Sequence, residues 1–176
     1  MRRVRYVVAM SLDGYIAGPN GEADWIIMDP DIDFRALFEQ FDTFLLGRRT
    51  FEGMRGAGGS RQPGVQTMVF SRTLRQQDYP EVTIVSERLE RALADLRTKP
   101  GKDIWLFGGG SLFRGLLEAR QVDTVEVSVI PVLLGAGIPL LPSTTLSERF
   151  KLKLTNRRTF KTGIVSLEYA VEYEAA

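Results

Sequence analysis

Three short segments of the chain combine residue types that bind phosphate at points where a strand is expected to end and a helix to begin. Positions 108–112 read Gly-Gly-Gly-Ser-Leu, positions 46–52 read Leu-Gly-Arg-Arg-Thr-Phe-Glu, and positions 70–72 read Phe-Ser-Arg. Glycines let a backbone approach an anion closely, and a helix N-terminus offers free N–H groups. Guanidinium groups add charge-assisted hydrogen bonds. Together the segments predict a pocket for a ligand with several phosphates, and a nicotinamide dinucleotide phosphate fits.

Each segment also has a purely structural interpretation. The three glycines could serve only a tight turn. Arg48 and Arg49 could be a solvated surface pair, although cations at a helix start oppose the helix dipole and need another reason to be there. Ser71 with Arg72, taken alone, could be an ordinary strand end. The phosphate-site interpretation therefore depends on the three segments occurring together.

Carboxylates suited to proton transfer occur in two places near the N-terminus. Asp13 lies in an Asp-Gly pair within 11–24, a stretch rich in Gly, Pro, Asn and Asp that is typical of a long loop. Asp29, Asp31 and Asp33 alternate where a helix is expected to start. Asp13 could instead belong to an ordinary turn, and the other three could simply complement the helix dipole. A carboxyl that donates a proton at neutral pH would need a raised pKa.

The composition excludes several classes of catalyst. The 176 residues include no Cys and no His, which excludes thiolate nucleophiles, zinc ribbons and the Ser-His-Asp triad, and no metal site is predicted. A cofactor is therefore expected to carry any difficult chemistry. The net charge of +1 argues against a nucleic-acid-binding protein. Because no signal peptide or apolar run of about 18 residues is evident, we expect a cytoplasmic protein that does not associate with membranes.

Hydrophobic patterning supplies the elements that would position these residues. Short apolar runs predict strands at 6–10, 43–46, 67–70, 82–85, 103–107 and 122–130. Helices are predicted between them, the first introduced by Asp29-Pro30 and carrying an apolar face of Phe34, Leu37, Phe38 and Phe41. The C-terminal part alternates apolar and polar residues on both sides of a Lys-Thr-Gly turn at 161–163, which predicts an antiparallel hairpin.

This alternation of strands and helices predicts an α/β fold. We expect a three-layer α/β/α sandwich around a central, mostly parallel sheet, made mixed by the C-terminal antiparallel hairpin. Ligands in such sheets bind beyond the carboxyl ends of the strands, so the three phosphate-binding segments should share one edge. Since no repeat or long linker interrupts the pattern, residues 1–176 are expected to form a single domain.

The order of these motifs resembles the dihydrofolate reductase-like superfamily. The resemblance is carried by 8–17, which reads Val-Ala-Met-Ser-Leu-Asp-Gly-Tyr-Ile-Ala, followed by 46–52, 70–72 and 107–112. The segment 130–140, Ile-Pro-Val-Leu-Leu-Gly-Ala-Gly-Ile-Pro-Leu, is similar to the branch that contains the reductase domain of bifunctional riboflavin-biosynthesis proteins. The resemblance covers nearly the whole chain, and it depends on the ordered set of motifs rather than on any one of them.

The resemblance implies that the protein binds NADPH. The adenosine 2′-phosphate would be held by Arg48, Arg49, Ser71 and Arg72. The pyrophosphate would be held by Thr50, Gly109, Gly110, Ser111 and Leu112. Gly47 and Gly108 complete the cofactor-binding set, with a cis peptide bond implied between Gly108 and Gly109. The nicotinamide would be bordered by Ala9, Ile16 and Ala17.

On the substrate side, the resemblance places a mobile active-site loop at 11–25. Asp13, Gly14 and Trp25 are its predicted substrate contacts. One position departs from the riboflavin branch, whose reductases typically carry Glu just before the glycines, because this chain has Phe107 there. The departure leaves the substrate open.

The predicted catalytic residue is Asp31. True dihydrofolate reductases place a carboxylate early on the first helix, and counting back from Gly47 reaches Asp31, with Asp33 as the competitor. Without histidine, the proton donor would be Asp31, Asp13 or an ordered water.

These expectations describe an NADPH-dependent reductase of a small heterocycle, most like a 5-amino-6-(5-phosphoribosylamino)uracil reductase of riboflavin biosynthesis. Dihydrofolate reduction is the alternative within the same class. A non-catalytic NADPH-binding module is the alternative from another class, and Phe107 motivates it. The resemblance, supported by the apolar stretch 129–141, also implies a homodimer.

Overall fold

Strands and helices alternate along most of the chain in the computed structural model, which describes residues 1–56, 64–142 and 149–173. The strands are β1 (Val4–Ser11), β2 (Tyr15–Ala17), β3 (Phe41–Gly47), β4 (Gln66–Phe70), β5 (Thr83–Val85), β6 (Asp103–Gly108), β7 (Thr124–Ile130), β8 (Ile138–Pro139), β9 (Lys151–Thr159) and β10 (Val165–Glu172). The helices are α1 (Phe34–Phe38), α2 (Arg48–Gly56), α3 (Leu89–Thr98) and α4 (Gly110–Glu118), and a short 3₁₀ helix covers Gln76–Asp78.

Eight of these strands form one mixed sheet in the order β5-β4-β3-β6-β1-β7-β10-β9. The six strands from β5 to β7 in this order run parallel, whereas β10 is antiparallel to both β7 and β9. The predicted mixed sheet with a C-terminal hairpin is therefore confirmed. β2 and β8 lie within stretches that the sequence indicated to be loops, and they pair with each other as a separate antiparallel sheet.

Helices cover both faces of the large sheet, which confirms the three-layer sandwich. On one face, α1 and α2 contribute Leu37, Phe38, Phe51 and Met54 to clusters built on β3, β4 and β6. On the other face, α3 and α4 bury Leu93, Leu96, Phe113, Leu116 and Leu117 against the central strands. Consecutive strand residues point to opposite faces, so Leu45 and Leu46 pack in different clusters. Among the described residues, no helix is both long and apolar enough to cross a membrane.

The helix expected directly after Asp29-Pro30 begins later than predicted. It comprises only Phe34–Phe38, and its N-cap is Asp33, whose carboxylate accepts a hydrogen bond from the Ala36 N–H at 2.9 Å. The prediction was wrong because the Asp29 side chain is engaged elsewhere in the fold, as described below. Phe41, expected on the apolar face of this helix, lies in β3 because the chain has already entered the sheet.

Candidate active site

Three parallel strands end side by side at one edge of the sheet. Phe70 at the end of β4 is level with Gly47 at the end of β3, and Leu46 is level with Gly108 at the end of β6. α2 starts directly after β3, and α4 starts one residue after β6. The three segments predicted to bind phosphate thus meet where such folds bind ligands. We refer to residues 46–50, 70–72 and 108–112 as the strand-end corner.

Glycines allow the backbones of the strand-end corner to approach closely. The peptide bond between Gly108 and Gly109 is cis, as the resemblance implied. A Cβ atom at Gly109 would lie 3.3 Å from Oγ1 of Thr50, and one at Gly110 would lie 2.9 Å from the carbonyl oxygen of Pro139. α4 can therefore start against this backbone only with glycine at position 110. The first N–H groups of a helix have no partner within it, so those of α4 are available to an anion.

The arginines of the strand-end corner are exposed and only weakly engaged by the protein. The Arg48 guanidinium lies 3.5 Å from the Glu52 carboxylate one turn along α2, and both side chains are about half exposed, at 46% and 45%. Arg49 and Arg72 are exposed and make no hydrogen bond or ion pair with another described residue. An exposed pair of this kind adds little stability. Binding of an anionic ligand by these arginines stays a prediction.

Ser71 has a structural task in the loop that carries Arg72. It is buried, and its Oγ accepts hydrogen bonds from the N–H groups of Thr73 at 3.2 Å and Leu74 at 3.1 Å. Serine commonly shapes turns in this way. Its contact with a phosphate stays a prediction.

The residues predicted to border the nicotinamide lie next to the strand-end corner. Tyr6 is level with Leu106 in the parallel pair of β1 and β6, so Ala9 reaches the level of the glycines that follow β6. Ile16 and Ala17 lie in β2, which follows β1 after a tight turn. The structure therefore brings together the elements carrying both predicted halves of the cofactor site.

The Asp13 carboxylate ties the turn after β1 to the segment after β7. It accepts hydrogen bonds from the Ser11 hydroxyl at 2.7 Å, the Gly135 N–H at 2.7 Å and the Leu134 N–H at 3.1 Å. The bond from Ser11, with those from the two backbone groups, lowers the pKa of Asp13. A carboxylate held ionised in this way is poorly suited to donate a proton at neutral pH. Gly14 completes the turn with a φ of 89°, and both substrate roles stay predictions.

The three aspartates near α1 have different environments. Asp29 is only 3% exposed, and its carboxylate accepts hydrogen bonds from the Thr162 hydroxyl at 2.6 Å and the Asp31 N–H at 2.8 Å. These bonds, that from Thr162 above all, lower the pKa of Asp29. Asp33 caps α1. Asp31 is exposed, and its carboxylate has no partner among the described residues. Asp33, and not Asp31, lines the pocket between α1 and the C-terminal hairpin. The catalytic role of Asp31 stays a prediction.

Trp25 lies on the α1 side of the sheet, close to the C-terminal hairpin. Its ring and Ala9 pack against a cluster of buried residues, Ile130, Phe160 and Ile164. Its indole N–H donates to the Glu22 carbonyl at 3.0 Å. The ring thus shares an apolar cluster with Ala9, and its contact with substrate stays a prediction.

Phe107 belongs to an aromatic cluster under α1. Its ring centroid lies 5.6 Å from that of Phe44 and 5.1 Å from that of Trp105. The position at which the riboflavin branch typically carries Glu is thus filled by a half-buried ring. Any acid for the substrate must come from another element.

A pocket that the sequence reasoning missed lies between α1 and the C-terminal hairpin. Its volume is about 270 Å³. Its apolar wall comes from Val7, Ile32, Ala36 and Leu37, and its polar lining includes Asp33, Gln40, Glu126, Ser128, Asn156, Arg157, Arg158, Ser166 and Glu168. The alternating pattern of the hairpin could have indicated some of these residues, because every second strand residue points to the same face. We refer to this site as the α1–hairpin pocket.

The architecture is that of the dihydrofolate reductase-like fold. A dihydrofolate reductase from Enterococcus faecalis, solved as a complex with NADP(H), superposes with a TM-score of 0.69 at 23% identity, over 97% of each chain. Within this fold the chain belongs to the RibD C-terminal domain family, whose model matches residues 2–166.

Two further proteins are similar over nearly the full length. The uncharacterized protein YyaP of Bacillus subtilis (strain 168) is 38% identical, over 96% of this chain and 94% of that protein. A solved structure of a putative riboflavin biosynthesis protein from Shewanella sp. PV-4 has a TM-score of 0.82 at 25% identity, covering 98% of this chain and all of that one. Membership in this family supports a reductase of the riboflavin-biosynthesis type.

Proposed function

We propose that the protein is an NADPH-dependent reductase of a small nitrogen heterocycle. The observation that carries the proposal is the strand-end corner, where three strand ends bring exposed arginines, glycine backbones and the starts of α2 and α4 together. Family membership supports the same class of reaction.

The residues of the strand-end corner fit NADPH. Arg48, Arg49 and Arg72 would hold the 2′-phosphate, because guanidinium groups without a strong internal partner suit a doubly charged group. Thr50 and the first turn of α4 would hold the pyrophosphate, in a space that a Cβ at Gly109 or Gly110 would narrow. When bound there, the cofactor would supply a hydride to an electrophilic carbon of the substrate.

The protein's own contribution is positioning and one proton. Orienting donor and acceptor in a site without water removes much of the entropic barrier. Addition of a hydride to carbon leaves a negative charge on the neighbouring atom, and a proton must neutralise it. The Asp31 carboxyl or an ordered water would hold that proton. Asp13 is not available for this role, because its ionised carboxylate accepts hydrogen bonds from the segment after β7.

The finer proposal is that the substrate resembles 5-amino-6-(5-phosphoribosylamino)uracil, with dihydrofolate as the alternative. The test is oxidation of NADPH by the purified protein with each compound, with the product identified by mass spectrometry. We expect turnover with the ribosylaminouracil phosphate. Turnover with dihydrofolate alone would transfer the assignment to that substrate.

A second candidate is a non-catalytic NADPH-binding module. Phe107 favours it, because a ring that packs on Phe44 and Trp105 replaces an acid typical of the riboflavin branch. NADPH binding without turnover on a panel of reducible heterocycles would support this candidate over the reductase.

We also propose that the protein is a homodimer. The apolar stretch 129–141 leaves Leu133 69% exposed, and Leu12 on the adjoining turn is 65% exposed. The two segments are joined by a hydrogen bond from the Leu12 N–H to the Val132 carbonyl at 2.9 Å. Light scattering at micromolar concentration should give twice the mass of 19.7 kDa. A monomeric mass would contradict the proposal.

A further inference from the structure

A row of polar side chains crosses β7, β10 and β9 on the face of the sheet that α1 covers. Ser128 on β7 is level with Ser166 on β10, and their hydroxyl oxygens lie 2.9 Å apart. Two residues further from the strand-end corner, Glu168 on β10 lies between Glu126 on β7 and Asn156 on β9, and it is level with both. All five residues line the α1–hairpin pocket.

The two glutamates in this row have unequal surroundings. The Glu126 carboxylate accepts three hydrogen bonds. The Arg5 guanidinium donates to its two oxygens at 2.7 and 2.8 Å, and the Thr124 hydroxyl donates at 2.7 Å. Glu168 is half-buried, and its carboxylate has no hydrogen-bond or ion-pair partner in the ranges the structure describes. Like charges directly opposite each other on neighbouring strands destabilise a sheet. The fold therefore gains nothing evident from a carboxylate at position 168.

The arginines of the same pocket are directed to other groups. The Arg158 guanidinium lies 4.4 Å from the centroid of the Phe160 ring and donates to the Asp31 carbonyl at 3.2 Å. The Arg157 side chain is exposed and has no ion pair among the described residues. Glu168 is thus left as an acceptor that can take two parallel N–H donors.

The position of Glu168 connects it to the proposed reaction. Val7 lines the pocket and precedes Ala9, the predicted neighbour of the nicotinamide, by two residues on the same face of β1. Two residues of a strand span about 7 Å. A ring seated between α1 and the polar row would therefore lie next to the place where hydride transfer is proposed. A volume of about 270 Å³ suits one or two fused rings.

We propose that Glu168 is a specificity-determining residue that binds the amino-substituted edge of the heterocycle, accepting two adjacent N–H donors on its carboxylate. An ionised carboxylate has two acceptor oxygens, so it can receive two adjacent N–H donors at once, and hydrogen bonds to an ionised acceptor are stronger than those between neutral groups. The inference deepens the proposed function and depends on it, and it assigns substrate recognition to β10, an element that carries none of the residues predicted from the sequence.

The test compares 6-aminouracil with uracil, which differ by a single amino group beside a ring N–H. Calorimetric titrations of NADPH-saturated protein should show tighter binding of 6-aminouracil. In Glu168→Gln the affinity for 6-aminouracil should fall about ten- to a hundred-fold, because a hydrogen bond to a charged group is lost, and the preference over uracil should disappear. Glu172→Gln is the matched control, since Glu172 is exposed near the end of the same strand and does not line the pocket.

A purely structural role for Glu168 predicts a different pattern. In that case Glu168→Gln would melt below the wild type and would lose affinity for both compounds alike. Under the inference, removing one of two opposed carboxylates should instead raise the melting temperature even as the affinity for 6-aminouracil falls. Should that variant fold poorly, Glu168→Asp keeps the charge but shortens the side chain by one methylene. It should weaken the binding of 6-aminouracil and leave the binding of uracil unchanged. An unchanged preference in both variants, or no preference in the wild type, would overturn the inference. NADPH titration of the same samples separates the two proposals, since its failure would count against the proposed function instead.

Discussion

The strand-end corner and the α1–hairpin pocket are assembled in contrasting ways. The corner is built from three local motifs, each a strand end with the residues that follow it, and the parallel sheet sets them side by side. The pocket draws on β1, β7, β9, β10 and α1, and its polar residues are paired across strands rather than along the chain. The proposed cofactor site can be recognised from motifs, whereas the proposed substrate site becomes visible only in the fold.

The two sites also differ in charge. The corner presents exposed arginines at helix starts, which suits phosphate oxygens. The pocket contains the Glu168 carboxylate, which has no partner in the part of the chain that the structure describes, next to a pair of hydroxyl groups, and this arrangement suits N–H donors. Each of the following experiments alters one site and asks whether the other continues to work.

The largest effect is expected at Asp31, on the substrate side. Asp31→Asn should lower turnover about a hundred-fold or more, because an amide cannot supply the proton, while NADPH affinity stays unchanged. Steady-state kinetics with NADPH titration measures both. Asp33→Asn tests the competitor, which lines the α1–hairpin pocket, and asparagine should preserve the helix cap about as well as aspartate does. If Asp33→Asn lost turnover and Asp31→Asn did not, the assignment would move to Asp33.

A comparable effect is expected at Gly110, in the corner. A side chain there meets the Pro139 carbonyl, which a Cβ would approach to 2.9 Å, so Gly110→Val should displace the start of α4. We expect NADPH affinity to fall about a hundred-fold, because the first N–H groups of α4 would be moved away from the pyrophosphate. Gly115→Ala on the same helix meets nothing within 4 Å and should bind NADPH normally. Equal affinity in both variants would show that the corner does not hold the cofactor.

The arginines should distinguish NADPH from NADH. Arg48→Ala and Arg72→Ala should each weaken NADPH binding about ten-fold, because each removes a hydrogen bond to a charged phosphate. NADH lacks the 2′-phosphate, so its affinity should barely change. Arg91→Ala, at an exposed position on α3, provides the control for loss of charge. A parallel loss of affinity for both nucleotides would assign the arginines to the pyrophosphate.

The smallest effect is expected from Asp13, whose contribution depends on pH. Its pKa is lowered in the fold, so its ionised form stabilises the protein fully above the ordinary value of about 4, and this contribution disappears as the pH falls through the lower folded value. Asp13→Ala should therefore melt below the wild type at pH 7, and the gap should narrow in acid. Asp24→Ala, an exposed aspartate of the same loop, should melt like the wild type at both pH values. A gap of constant size would show that the Asp13 charge is not responsible.

Local rules predicted the sheet, the C-terminal hairpin and the position of the strand-end corner. These predictions are correct where residues close together along the chain determine the structure, as with the glycines between β6 and α4 and the arginines that follow β3. They failed at Asp29, which fits the rule for a helix cap but is bonded to Thr162, 133 residues away. Glu168 was missed for the same reason. Its carboxylate has no partner in the described part of the chain, and Arg5, which could have been one, is bound to Glu126 instead.

The most direct test of the central claim is a titration of the wild-type protein with NADPH and, separately, with NADH. Binding can be followed by the fluorescence of Trp25 and Trp105, which belong to the clusters that contain Ala9 and Phe107 respectively. The account predicts saturable binding with a clear preference for NADPH. Binding of neither nucleotide, or equal binding of both, would contradict the assignment of the strand-end corner as an NADPH site.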